Sequence, residues 1–167
     1  VVVWTDFQCP YCKPLELDYG PIFEELAASG DIALDIRVKS QVDQIILNDS
    51  STRSAVAATC ADTVGSFHDY FMTVFENQPD EGVGFTDAQL RGDFASKAGI
   101  TGDDLTTFQS CFDTRSTLEW VTGVQTESQK QGITGTPVVE VNGTRFEPRA
   151  FAADKATILA EITKLAG

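Results

Sequence analysis

The sequence has a single histidine, His68, in 167 residues. One imidazole builds no histidine metal cluster, and a Cys-His hydrolase would need support from elsewhere in the chain. Basic side chains are scarce: 12 Lys and Arg stand against 25 Asp and Glu, for a formal charge of −13. Nonspecific nucleic-acid binding needs a basic face, so nucleic acid is excluded as a partner. The acidic residues are dispersed and read as a solvated surface, not a metal site. No apolar run approaches the roughly 18 residues of a membrane span. Internal repeats and low-complexity tracts are absent. So is a signal peptide: the chain opens on Val1-Val2-Val3-Trp4, already a buried-strand run. An upstream segment carrying a secretion signal or anchor is therefore expected to be missing or removed.

What is present describes a folded chain. Hydrophobic residues make up 42% of the sequence, which excludes disorder. A chain of this length fits one domain and buries a full core without staples, so its four cysteines need another explanation. Residues 1–4 read as an interior strand. Leu15, Leu17, Ile22, Phe23 and Leu26 give the next segment an apolar helical face. Pro10 suits its first position, and Gly20-Pro21 is expected to kink or break it. Residues 32–38 alternate as a strand. That makes a β-α-β unit.

Residues 51–131 then read as helices. Phe67, Tyr70, Phe71, Val74 and Phe75 form an apolar stripe. Thr86-x-x-Gln89 and Thr101-x-x-Asp104 read as helix starts, and Gly99 and Gly132 as helix ends. Residues 137–146 return to strand, with Asn142-Gly143 as a hairpin turn. Ile158, Leu159, Ile162 and Leu165 mark a final helix. The predicted fold class is α/β.

Cys9-Pro10-Tyr11-Cys12, after a strand and opening a helix, is a redox spacing. A helix N-terminus presents free N–H groups and partial positive charge, which stabilise a thiolate at Cys9. Cys12, one turn on, is close enough to form a disulfide with it. Half a zinc site and a structural disulfide remain open for the same spacing. Thr136-Pro137 heads a strand, a place where X-Pro bonds are often cis.

Two segments carry a more specific resemblance. Val2-Val3-Trp4-Thr5-Asp6-Phe7-Gln8-Cys9-Pro10-Tyr11-Cys12-Lys13 and Gly132-Ile133-Thr134-Gly135-Thr136-Pro137-Val138-Val139-Glu140-Val141-Asn142-Gly143 resemble the two active-site segments of DsbA-like thiol–disulfide oxidoreductases. Pro21, 21 − 9 = 12 positions after Cys9, matches that family's helix proline. Residues 51–60 and 75–79 resemble secreted or anchored actinobacterial members. The resemblance covers nearly the whole chain. It implies a thioredoxin fold with an inserted all-helical domain: residues 1–48 and 132–167 form the first, residues 49–131 the second. It also implies an extracytoplasmic location.

By position, Cys9 becomes the exposed nucleophile and Cys12 the resolving thiol. Pro10, Tyr11 and Pro137 tune the pair. Thr136 and Pro137 bind an extended substrate segment through backbone pairing. Cys60 and Cys111 form a structural disulfide, as in the actinobacterial relatives. No metal and no cofactor are implied. The implied partners are reduced exported polypeptides and a quinone-linked membrane protein that reoxidises the enzyme, and the chain is expected to be a monomer.

Two departures stand out. Tyr11 replaces the histidine of the strongest oxidants, and with Thr136 it is shared with isomerase-like relatives. Val3 stands where many members bury an acid that assists proton transfer. Glu16 or Asp6 are candidates to substitute, although both read first as ordinary solvated carboxylates. His68 reads as a solvated or interdomain side chain, Trp4 and Trp120 as packing residues, and Asn48-Asp49-Ser50 as a chance glycosylation pattern. The function expected is thiol oxidation. The alternatives are reduction or isomerisation on the same fold, or a redox-inert module that binds unfolded peptides.

Overall fold

The computed structural model describes residues 1–166. In order the elements are β1 (Val2–Thr5), α1 (Cys12–Ala28), β2 (Asp35–Val38), α2 (Val42–Ile46), α3 (Ser50–Asp62) and α4 (Phe67–Glu76). A π-helical turn, Gln89–Asp93, runs into α5 (Phe94–Lys97). Then come α6 (Gly102–Thr114), α7 (Leu118–Lys130), β3 (Val138–Val141), β4 (Thr144–Phe146) and α8 (Lys155–Ala166). The strands form one mixed sheet in the order β2-β1-β3-β4. β1 runs parallel to β2 and antiparallel to β3, and β3 and β4 form a hairpin. Asn142 and Gly143 both take positive φ, 48° and 80°, as a tight hairpin turn requires.

Two apolar cores meet at α1. One lies between the sheet, α1 and α8, and holds Val3, Leu15, Phe23, Val139, Ile158 and Ile162. The other gathers the helices from α3 to α7 around Tyr70, Phe71, Phe75, Phe94 and Phe108, and it includes Phe7, Cys9 and Cys12. Phe7 is the hinge between the chain ahead of α1 and this second core. Its ring lies 5.4 Å from that of Phe71 and 4.9 Å from that of Phe75. The cysteine pair is thereby fixed on the seam, with apolar packing on both sides of its helix.

Local signals act as expected at several points. Thr86 and Gln89 make the reciprocal cap: the Gln89 N–H donates to Thr86 Oγ1 at 3.2 Å and the Thr86 N–H donates to Gln89 Oε1 at 2.9 Å. Gly132, at φ 70°, ends α7, and the Ile133 N–H closes back on the Ser128 carbonyl at 2.8 Å. This bond turns the chain toward Thr136 and Pro137. Thr101 stands at the start of α6 in extended conformation, but its side chain makes no capping bond.

Other expectations are corrected. α1 continues through Gly20-Pro21 without a break. Pro21 has no N–H for the Leu17 carbonyl, and packing of the helix on two cores outweighs that lost bond. Pro10 lies in the turn ahead of α1, not in its first turn. β2 is shorter than residues 32–38, because its ladder with β1 begins at Val2↔Asp35. Trp120 is 69% exposed on α7, so it is no packing residue, whereas Trp4 is fully buried.

Candidate active site

β1 ends beneath the start of α1, and the intervening turn is closed by backbone bonds. The Cys9 N–H donates to the Asp6 carbonyl at 3.0 Å, and the Cys12 N–H to the Cys9 carbonyl at 3.1 Å. Both cysteines are free thiols. Cys12 is fully buried, and Cys9 is only 6% exposed, less open than the exposed nucleophile expected. The reason is what overhangs it. The Gln78 side-chain amide donates to the carbonyls of Phe7, at 2.7 Å, and Cys9, at 3.0 Å. From the other side the Thr136 carbonyl accepts from Cys9 Sγ at 3.4 Å, and the Thr136-Pro137 peptide is cis. Tyr11, by contrast, is 67% exposed at the rim.

The two thiols titrate in opposite directions. Cys9 is lowered to about 6, chiefly because the Cys12 thiol donates to its sulfur. Hydrogen bonding from the Thr136 side chain and the N–H groups of Tyr11 and Cys12 adds to this, against the cost of burial. The 3.4 Å contact to the Thr136 carbonyl works the other way, since it favours the protonated thiol. The donors outweigh it. Cys12 is pushed well above the ordinary thiol value, first by burial and then by its proton's bond to Cys9.

Beneath the pair lies a polar layer that sequence reasoning misplaced. Asp6 and Glu16 are not solvated: Asp6 is fully buried and Glu16 is 2% exposed. Every oxygen of Asp6 is occupied. Its Oδ1 accepts from the Gln8 N–H at 2.9 Å and from Ser51 Oγ at 2.6 Å, and its Oδ2 accepts from the Val42 N–H at 2.9 Å. Burial still raises Asp6 to about 6. Burial raises Glu16 to about 7. Lys39 is buried as well, and its ammonium donates to the Ile133 carbonyl at 2.6 Å and to Gln41 Oε1 at 2.7 Å. Val3 packs in the sheet core, so no acid stands at its position.

Cys60 and Cys111 are joined by a disulfide with Cα atoms 5.7 Å apart, tying α3 to α6. His68 is half exposed and pairs through Nδ1 with Glu24, linking α4 to α1. Gln78, Thr5 and Lys39 were missed by the sequence reading. Gln78 sits in a loop inside the resembling segment 75–79, but nothing local to it foretells its bonds to Phe7 and Cys9. Glu16 had one: positions 12, 15, 16, 19 and 23 share a helix face, and the others on it are buried.

The family model described as thioredoxin matches residues 1–160. The chain belongs to the thioredoxin family. It is similar to the reduced DsbA of Mycobacterium tuberculosis, at 26% identity and a TM-score of 0.76, over 99% of this chain and 81% of that one. It is equally similar to a disulfide bond oxidoreductase, DsbG, of the same organism: 26% identity, TM-score 0.76, 99% of this chain and 77% of that one. BdbD of Bacillus subtilis, in its oxidised form, matches at 25% identity and a TM-score of 0.76, over 99% and 85%. No curated protein matches the chain. Within that family the chain is a DsbA-like thiol–disulfide oxidoreductase. Its fold is the mixed sheet of that family with added helices.

Proposed function

We propose that this oxidoreductase introduces disulfides into reduced exported polypeptides through Cys9 and Cys12. The observation that carries the reading is the opposite titration of the two thiols. A Cys9 lowered to about 6 is thiolate at neutral pH, while Cys12 keeps its proton. Stabilising the thiolate stabilises the reduced enzyme, which makes the disulfide form an oxidant. In the forward cycle a substrate thiolate attacks Cys9 Sγ of the enzyme disulfide. A mixed disulfide forms, and Cys12 leaves and is protonated. A second substrate thiolate then attacks the substrate sulfur of that bond, and Cys9 leaves as thiolate. Two substrate thiols have become one disulfide, and the enzyme has gained two electrons.

Thr136 and Pro137 hold the substrate segment against Cys9 by backbone pairing, while Pro10 and Tyr11 tune the pair. Residues 1–48 and 132–167 form the redox unit, and residues 49–131 are a helical insertion fastened by Cys60–Cys111. The enzyme works outside the cytoplasm as a monomer, and a quinone-linked membrane partner restores its disulfide. Among the described residues no helix is long and apolar enough to cross a membrane. A second reading, reduction or isomerisation, is favoured by Tyr11 between the cysteines and by Thr136 before the proline. Refolding of a reduced, disulfide-requiring substrate against insulin reduction separates the two. The oxidase reading expects strong catalysis of the first and weak catalysis of the second; the reverse order overturns it.

A further inference from the structure

Residues 131–137 connect α7 to β3 and bring Thr136 and Pro137 up to Cys9, whose sulfur meets the Thr136 carbonyl at 3.4 Å. This loop does little to hold itself. Its internal N–H bonds end at Ile133, which closes on Ser128. Among the described residues, the N–H groups of 134–136 find no backbone acceptor. Backbone without ladder or turn bonds of its own must be fixed by other groups. Two of the loop's carbonyls are fixed in this way, both from one short segment that follows β2. The Lys39 ammonium donates to the Ile133 carbonyl at 2.6 Å, and the Gln41 side-chain amide donates to the Thr134 carbonyl. Gln41 Oε1 in turn accepts from Lys39 Nζ at 2.7 Å, so the two donors form one unit.

The segment that bears them is itself tied to the cysteine turn. The Lys39 N–H donates to the Thr5 carbonyl at 2.7 Å, just past the β1–β2 ladder. The Val42 N–H donates to Asp6 Oδ2 at 2.9 Å, and the Ser40 N–H donates to Gln125 Oε1 of α7 at 3.2 Å. Residues 39–42 thus hold the chain ahead of Cys9 mainly through their backbone, and the loop opposite Cys9 through their side chains. Lys39 is fully buried. A buried ammonium costs free energy that an apolar side chain there would not. Its two acceptors are a loop carbonyl and the side chain that holds the next loop carbonyl. Asp6 and Cys12 act on it only through their charge.

We propose that Lys39 and Gln41 are positioning residues that set the place of Thr136 for an incoming polypeptide. The proposal deepens the substrate reading above and rests on it. An extended substrate pairs with Thr136 through backbone bonds, so only a chain with a backbone can use that edge. An edge already fixed in place has less ordering left to do on binding than a loose one, and binds more tightly. The clamp therefore acts on polypeptide substrates. A small dithiol has no backbone to pair and meets only the chemistry of Cys9. Neither Lys39 nor Gln41 bonds to a sulfur, and both act through the loop.

The test uses the oxidised chain, a reduced two-cysteine peptide and dithiothreitol, with loss of the Cys9–Cys12 disulfide followed for each. Gln41→Leu removes both bonds of the amide, adds no charge and keeps the Lys39 ammonium. Lys39→Met removes the donor to Ile133 and keeps most of the bulk. In each, the ratio of the peptide rate to the dithiothreitol rate is expected to fall about tenfold, the scale of one lost hydrogen bond. The half-saturating peptide concentration is expected to rise, while the limiting rate at saturating peptide stays as in wild type. Gln41→Glu still accepts from Lys39 but has no N–H for Thr134, and is expected to behave as Gln41→Leu. Lys39→Arg keeps a donor and is expected to recover part of the ratio. A purely structural defect would lower the amount of folded protein and leave the ratio alone.

Folded Lys39→Met and Gln41→Leu that keep the wild-type ratio overturn the proposal. So does a fall confined to Lys39→Met, which would make the charge of the lysine the cause and not its hold on the loop. If Lys39→Met does not fold, Gln41→Leu and Gln41→Glu, at a half-buried position, decide by the same ratio. A wild-type disulfide that the peptide does not reduce would instead defeat the oxidase reading itself.

Discussion

Glu16 carries its charge at a cost to stability. Its carboxyl titrates near 7 when folded, against an ordinary value of 4.5. The native state therefore binds a proton that the unfolded chain has already released. Stability falls as pH rises between those two values and is flat above them. The loss is on the order of 2–3 kcal/mol for a group this buried. Asp6, raised to about 6, adds to the fall, and Cys9, lowered to about 6, opposes it, so the Glu16 share is read as a difference. In urea unfolding at pH 4.5 and pH 8, Glu16→Gln is expected to lose less stability than wild type by about that amount. The same pH dependence in both proteins would show that Glu16 does not titrate differently in the folded chain. Cys9→Ser is expected to abolish exchange and Cys12→Ser to trap the mixed disulfide, detectable as an added substrate mass on the intact protein. The cysteine pair was legible because its chemistry depends on a short spacing. The burial of Asp6 and Glu16 was not, because carboxylates are usually solvated and nothing local marks an exception. Only the shared helix face of Cys12, Glu16 and Tyr19 carried the information.

At the scale of elements, long periodic signals were readable and contact-made ones were not. The aromatic stripe became α4, and Asn142-Gly143 became the hairpin turn. α2 gave no periodic signal. It is a five-residue helix whose Asp43 caps its neighbour at a distance. The Ser51 N–H donates to Asp43 Oδ1 at 2.7 Å and the Thr52 N–H to Asp43 Oδ2 at 2.8 Å, satisfying the open start of α3. Asp43→Ala is expected to cost about 1–2 kcal/mol in denaturant unfolding, as loss of a helix cap does. The tie between α3 and α6 spans 51 positions. Closing a loop of that size restricts the unfolded chain, so Cys60→Ala with Cys111→Ala is expected to lower stability by about 2–4 kcal/mol. The rate at which Cys9 reacts with a small disulfide is expected to stay the same. A double variant as stable as wild type would show that the bond contributes nothing to the fold.

Across the whole molecule, the decisive feature is the seam. α1 belongs to two cores at once, and its first turn is held from below by the sheet and from the side by α4. Cys9 meets donors from its own turn and from Thr136, a residue far away in sequence, while Cys12 is closed off from water. One thiol is lowered and its partner raised within a single turn of chain. The net charge of −13 is spread over the surface and plays no part in that division. The central claim is that this arrangement makes the Cys9–Cys12 disulfide an oxidant. Its reduction potential, from equilibration with glutathione, tests that directly. The account predicts a value nearer to about −120 mV than to about −270 mV, the oxidising and reducing ends of this superfamily. A value at about −270 mV or below would contradict it and assign the protein to reduction.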